Sequence, residues 1–326
     1  MKPQVLPPNV LRHFYAGGAR IAAFRGLTLD SDHMPEEWIG AVNTTFGSVN
    51  GRGLSTAPDG TLVRDALASD PEAWLGPEHV ARFGDDPALL TKLLDAGQRL
   101  PVHFHPGREF AKRELGLSHG KTEAWLILEA RSGASVWVGF KHDIALATVR
   151  EWMHAQASDE MLAAMHELPV KAGDAIFVPA GTPHAIGDGI LIVELQEPTD
   201  LSITLEWTGF ELTEEESSLG LAWDTALQAL NRSAWSDESI AALRGTTLPH
   251  AADPYFRAEQ ITGGDTLDPG FSVVIATHGQ GTLGDIELQP GSAVLIPYAA
   301  GELQLTGDVE AIRCRPPAPD SEEGAW

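Results

Sequence analysis

The chain has a single cysteine, Cys314, among 326 residues. One thiol can neither close an internal disulfide nor build a thiolate metal site, so any metal must be held by imidazoles and carboxylates. Basic residues are scarce too: 22 Lys and Arg against 46 Asp and Glu give a formal charge of -24. That charge repels nucleic acid and anionic membrane surfaces, and neither is expected as a partner. Its simplest role is a solvated surface that favours solubility. An anionic substrate would require Lys or Arg concentrated locally. Long apolar runs are missing as well. No stretch approaches the roughly 20 apolar residues that span a bilayer. Prolines also interrupt the opening MKPQVLPPNVLRHF where a signal peptide needs an apolar run. A cytoplasmic location is therefore expected.

What is present is a hydrophobic fraction of 43%, enough for a sizeable core spread over two or three modules. Residues 1–100 mix short apolar runs with Gly, Asn, Ser and Thr, as in TTFGSVNGRGLS, and read as strands and turns plus a short helix feeding a first barrel. Residues 101–210 carry short β-rich runs broken by Gly, Pro or Asp, such as TEAWLIL, ASVWVGF, DAIFVPAG and GILIVELQ, the rhythm of an antiparallel sandwich or barrel. Within them, about 143–168 changes period: Met161, Met165 and Leu168 share a helical face, which predicts a helical insertion. Residues 211–254 read as a helical connector, with Trp223, Ala226, Leu227 and Leu230 forming a core stripe and Ser236 placed to cap a following helix. From 255 to 316 the β pattern returns, and 317–326 is Pro-rich and acidic, composed for disorder. VKAGDAIFVPAGTPHAIGDG echoes LQPGSAVLIPYAAGELQLTG, which suggests an internal duplication. The second copy has Glu302 near the place of His184 and no HxH before it, so it is expected to bind no metal.

His103 and His105 flank one residue, so a strand would point both imidazoles to one face. Glu123 lies on the next β run and His184 follows the loop PAGTPH. Each residue alone is more often a satisfied core or solvated side chain. Together, three imidazoles and one carboxylate suit a divalent ion such as zinc, manganese, cobalt, nickel or iron and leave room for water or substrate.

The stretch GDAIFVPAGTPH resembles the second cupin motif at every fixed position, which implies a mainly β fold of tandem cupin-like (jelly-roll) barrels with helical insertions. LLTKLLDAGQRLPVHFHP, GKTEAWLIL and VPAGTPHAIGDGILIVELQ are similar to signature stretches of the type I mannose-6-phosphate isomerase family, and PEEWIGAVN resembles its amino-terminal segment. The resemblance runs from about residue 10 to about 310. It implies one divalent metal, usually zinc, on His103, His105, Glu123 and His184, with His at the first position where the family commonly has Gln. It also implies aldose–ketose isomerisation, a proton moving between C1 and C2 through an enediol, which requires oxyanion stabilisation and an acid/base group. Lys121 matches the lysine of GKTE and Glu194 a glutamate beside the substrate. Lys92 and Asp95 match positions near the site, though a salt bridge bracing the strand is an equal reading for that pair.

One departure concerns the substrate. Ten residues after the glutamate the family has an arginine; here the position is Thr204, and no arginine occurs between Arg150 and Arg232. Threonine cannot supply a bidentate cation. Either Arg108, Arg113 or Arg20 replaces it and the substrate is a sugar phosphate, or the substrate is a free hexose or pentose. A metal-cupin dioxygenase or a non-catalytic sugar-binding cupin is the reading from another class.

Overall fold

The computed structural model describes residues 1–318, 320 and 321. Of the tail expected to be disordered, 319 and 322–326 lie outside the described residues. Ala318 and Ser321 accept hydrogen bonds from Arg82 at 3.1 and 2.7 Å.

Three antiparallel sheets carry the fold. One has seven strands in the order Arg244–Gly245, Ala175–Val178, Glu123–Ala130, Ile190–Gln196, Leu90–Ala96, Glu36–Ile39 and Val10–Leu11. A second has five, in the order Ile203–Thr204, His103–Phe104, His184–Ile186, Ser135–Phe140 and Met165–Pro169. These two enclose one core, in which Trp125, Ile127 and Phe177 from the first meet Val136, Val138 and Ile186 from the second. That is the jelly roll the β-rich middle predicts.

The third sheet is built mainly from the long strands Ser272–Leu283 and Leu303–Arg315, with Arg257–Thr262, Ala293–Ile296 and the amino-terminal Gln4–Val5. Its strands serve two cores by alternation. Val273 and Ile275 join the core of the first barrel, while Val274 and Ala276 face the opposite way into a second core with Val294, Leu305 and Val309. A strand buried on both faces must read as a continuous apolar run, which is why SVVIA does not alternate. Glu302 is exposed and directly precedes the last strand.

Two stretches differ from the sequence reading. The first hundred residues hold four helices rather than one: Ala19–Arg25, Val63–Ser69, Pro71–Leu75 and Pro77–Phe83. Pro71 and Pro77 open the last two at the position where a missing N–H costs nothing, and Asp70 caps the former by accepting from Ala73 N at 3.3 Å. In the insertion, helices Leu146–Ala155 and Ser158–Ala164 form, but Met165–Pro169 is a strand paired with Ser135–Phe140. Met161 and Met165 are both buried, so the i, i+4 spacing is met although the second residue belongs to a strand. In the connector, Ser236 caps the helix Asp237–Ala242, accepting from Ser239 N at 3.1 Å.

Candidate metal centre and active site

His103 and His184 are direct cross-strand partners in the five-stranded sheet, and Thr204 is the partner of His103 on its other side. His105 stands one step past the end of the short strand His103–Phe104. The three histidines are buried, and one ligating nitrogen from each lies within 4.8 Å of the others. Glu123 comes from the facing sheet: its Oε2 is 3.0 Å from His105 Nε2 and its Oε1 3.3 Å from His184 Nε2. All four residues predicted from spacing are thus brought together.

The hydrogen bonding assigns the protons. Each Nδ1 meets a backbone carbonyl: Pro101 O for His103 at 2.8 Å, Leu201 O for His105 at 2.7 Å and Thr182 O for His184 at 2.8 Å. A carbonyl only accepts, so every Nδ1 carries its hydrogen and every Nε2 presents a lone pair. His105 Nε2 and His184 Nε2 therefore aim lone pairs at a carboxylate, acceptor against acceptor, and these nitrogens and Glu123 Oε2 are buried with no hydrogen-bond partner among the described residues. Burial pushes His105 down to about 3 and holds His103 well below its usual value, which keeps both imidazoles neutral. Burial opposes the charge of Glu123; with His105 neutral, the group beside it that favours the ionised carboxylate is the Lys121 ammonium, 3.3 Å from Oε2. Trp125 Nε1 donates to Glu123 Oε1 at 2.9 Å and fixes its orientation. Neutral imidazoles and an ionised carboxylate converging on one point fit a divalent cation, which would satisfy every orphaned acceptor at once.

Lys121 precedes the strand Glu123–Ala130 rather than lying in it, yet its Nζ is 3.3 Å from Glu123 Oε2 and 3.8 Å from Glu194 Oε1. Burial pushes Glu194 up to about 8, with Lys92 pulling against it and Glu123 adding to the rise. Lys92 faces Glu194 across adjacent strands, its Nζ 4.0 Å from Glu194 Oε2 and 3.1 Å from Glu36 Oε2. It does not line the cavity itself. Asp95 points away, three residues along the same strand: it accepts from Gly18 N and Arg20 N at 2.8 Å each and pairs with the Arg20 guanidinium. The expected Lys92–Asp95 bridge is therefore replaced by Lys92–Glu36, because residues i and i+3 of a strand face opposite sides.

Glu36 went unmarked in the sequence. It accepts from Tyr15 Oη at 2.6 Å and Trp38 Nε1 at 2.8 Å, and His13 Nε2 lies 3.3 Å from it. The available signal was an acidic residue two before a tryptophan on an apolar strand, a spacing that puts both on one face. A cavity of about 320 Å³ opens beside the cluster, with His103, Lys121, Glu123, Glu194 and Glu36 at its inner wall and Thr204, Asp200, Phe46 and Arg52 among its other lining residues. Arg108, Arg113 and Arg20 are not among them. Arg108 pairs with Glu197, Arg113 with Glu114 and Arg20 with Asp95, so none of the three supplies a cation to the cavity.

No protein-family model matches the chain. It is 30% identical over 318 residues to the mannose-6-phosphate isomerase ManA of Bacillus subtilis, covering 91% of this chain and 93% of the relative. The chain belongs to the mannose-6-phosphate isomerase family. The mannose-6-phosphate isomerase of Streptococcus mutans is 29% identical over 314 residues, again 91% and 93% of the two chains. The crystal structure of the mannose 6-phosphate isomerase from Bacillus subtilis superposes with a TM-score of 0.76 at 22% identity, covering 97% of this chain and all of that one, which shows the shared cupin fold. As a mannose-6-phosphate isomerase family member the protein is an aldose–ketose isomerase, an intramolecular oxidoreductase. The family is metal-dependent, and His103, His105 and His184 form the group able to hold the ion.

Proposed function

We propose that the protein interconverts an aldose and its ketose of the mannose/fructose type at a divalent ion, zinc by preference, held by His103, His105, Glu123 and His184. The observation that carries this reading is the set of buried acceptors without a hydrogen-bond partner among the described residues, His105 Nε2, His184 Nε2 and Glu123 Oε2, next to a cavity lined by His103, Glu123, Lys121 and Glu194. A bound divalent ion supplies Lewis-acid polarisation of the sugar's carbonyl and hydroxyl oxygens. The remaining chemistry belongs to side chains.

Glu194, on the same inner wall as Lys121, is assigned the proton transfer between C1 and C2 at its carboxyl oxygen. Lys121, between Glu123 and Glu194, donates to the developing oxyanion and keeps the two carboxylates apart. Lys92 is a positioning residue: anchored on Glu36 and packed 4.8 Å over the Trp38 ring, it holds Glu194 from behind. The hydroxyls of Thr204 and Ser202, together with Phe14 and Phe46, offer the hydrogen bonds and apolar faces a hexose needs. Among the described residues no helix is long and apolar enough to cross a membrane.

The test is an assay of mannose- and fructose-type sugars with zinc, manganese, cobalt, nickel and iron in turn. Ketose formation that depends on the added ion supports the reading. Oxygen consumption with an aromatic or diketone substrate, and no sugar conversion, sinks it.

A further inference from the structure

We infer that Glu197 is a positioning residue for the reaction site: its buried carboxylate grips the backbone of Thr122, the residue between Lys121 and Glu123, and so sets the place of both. The inference rests on the isomerase reading and deepens it by a residue that does not itself line the cavity.

Glu197 follows directly on the strand Ile190–Gln196, which carries Glu194 to the cavity and ends with Gln196 opposite Glu123. Thr122 N donates to Glu197 Oε2 at 2.9 Å, and Glu197 N donates to Thr122 O at 3.1 Å. One residue thus takes both backbone polar groups of Thr122, tying together chain segments 75 positions apart. Glu197 is 1% exposed and Thr122 2%. A carboxylate that accepts from a backbone N–H makes a charge-assisted bond, stronger than a neutral ladder bond.

Lys121 and Thr122 need that grip because they precede the strand Glu123–Ala130 and lie outside its ladder. Around the Thr122 pair, Lys121 N donates to Pro106 O at 3.0 Å, and Gly120 O accepts from Thr199 Oγ1 at 2.6 Å. Gly120 presses so closely on the chain after His105 that a Cβ there would lie 2.7 Å from Pro106 O and from Arg108 N. Only glycine permits that approach. Thr122 Oγ1 also accepts from Ala180 N at 3.4 Å, in the loop that leads to His184. A shift of Thr122 therefore moves Lys121 Nζ and Glu123 Oε2, 3.3 Å apart, together.

The carboxylate is held in its turn. Glu197 Oε1 accepts from Arg108 Nε, and His119 Nδ1 lies 3.8 Å from the same oxygen. Arg108 stacks 4.7 Å over the Tyr255 ring, and His119 is anchored on Asp86 at 2.9 Å. The two oxygens are divided: Oε1 faces the cations and Oε2 faces the segment of Lys121 and Glu123. Neutralising Arg108 and holding Thr122 are therefore separable roles.

The experiment compares wild type, Glu197→Ala, Arg108→Ala and the double variant Glu197→Ala/Arg108→Ala. Melting temperature and zinc affinity are measured, with kcat and KM for mannose 6-phosphate and for mannose at saturating zinc. Glu197→Ala should lower kcat about 10- to 100-fold with KM near wild type, the cost of displacing a reacting group by about 1 Å. It should also weaken zinc about 10-fold. Arg108→Ala keeps the Thr122 clamp and should leave kcat near wild type. In the double variant the cation left without its carboxylate is gone, so the melting temperature rises above that of Glu197→Ala while kcat and zinc affinity stay depressed. That variant carries the test should Glu197→Ala fail to fold. Recovery of kcat together with stability in the double variant, or kcat and zinc affinity untouched by Glu197→Ala, overturns the inference and leaves the isomerase reading standing. If the wild type converts neither sugar, the isomerase reading fails. Zinc affinity then decides on Glu197: weakening in the double variant upholds the clamp, and wild-type affinity overturns it.

Discussion

His103 and His184 stand directly opposite each other on neighbouring antiparallel strands, their ring centroids 4.1 Å apart. Two imidazoles pressed together in a buried site, both with Nδ1 committed to backbone carbonyls, have only their Nε2 lone pairs to offer. The cluster is organised for a cation from the backbone outward.

Removing one ligand should therefore separate binding from folding. His105→Ala and His184→Ala are expected to lose bound metal and with it activity, a fall of at least about three orders of magnitude, since the several kcal/mol a Lewis acid supplies are gone. Metal content by elemental analysis and circular dichroism of the same samples check this. Metal loss with an unchanged spectrum is the expected result.

Lys121→Ala and Glu194→Gln should behave differently. Both side chains approach Glu123 but are not assigned to the ion, so metal stays bound while kcat falls about 10²- to 10⁴-fold, the usual range for a lost acid/base group. Metal stoichiometry near wild type beside a depressed kcat distinguishes a catalytic role from coordination.

Trp125→Phe removes the indole donor that orients Glu123 and keeps an aromatic ring in the core. Outer partners of this kind are worth about 10- to 100-fold in metal affinity. A competition titration with a chromophoric chelator should show that weakening before any loss of turnover at saturating metal.

The HxH pair, the glutamate on the next β run and the G-P-G-H loop were legible in the sequence because each depends on spacing within a few residues. Strand alternation alone put His103 and His105 on one face, and the turn glycines and prolines of PAGTPH announced the loop before His184. Glu36 was not legible. Its importance comes from register between strands far apart in the chain: Trp38 pairs with Lys92, and Lys92 with Glu194, which places Glu36 beside Lys92. No local pattern encodes that. Met165 illustrates the same limit, since a buried i, i+4 pair satisfies a helix and its continuation into an edge strand equally well.

A pH-dependent contribution to stability lies outside the site. His119 Nε2 is 2.9 Å from Asp86 Oδ2 and its Nδ1 3.8 Å from Glu197 Oε1. Burial opposes its charge, but the hydrogen bond to Asp86 and the nearby Glu197 carboxylate push the imidazole up to about 9. The folded value lies above the unfolded value of about 6.5, so the folded state holds the proton more tightly. Its contribution, on the order of 2 kcal/mol, is fully present below about pH 6.5 and disappears as pH rises through about 9. Melting curves of wild type and His119→Asn should differ most near pH 6 and converge above pH 9. A gap that widens toward high pH would contradict the assignment.

The most direct test of the metal-centred account is removal and return of the ion. The protein is stripped with a chelator, its metal content measured, and mannose-to-fructose type conversion followed before and after stoichiometric zinc is added back. The account predicts that activity vanishes with the metal and returns with about one ion per chain; full activity in the metal-free protein would contradict it.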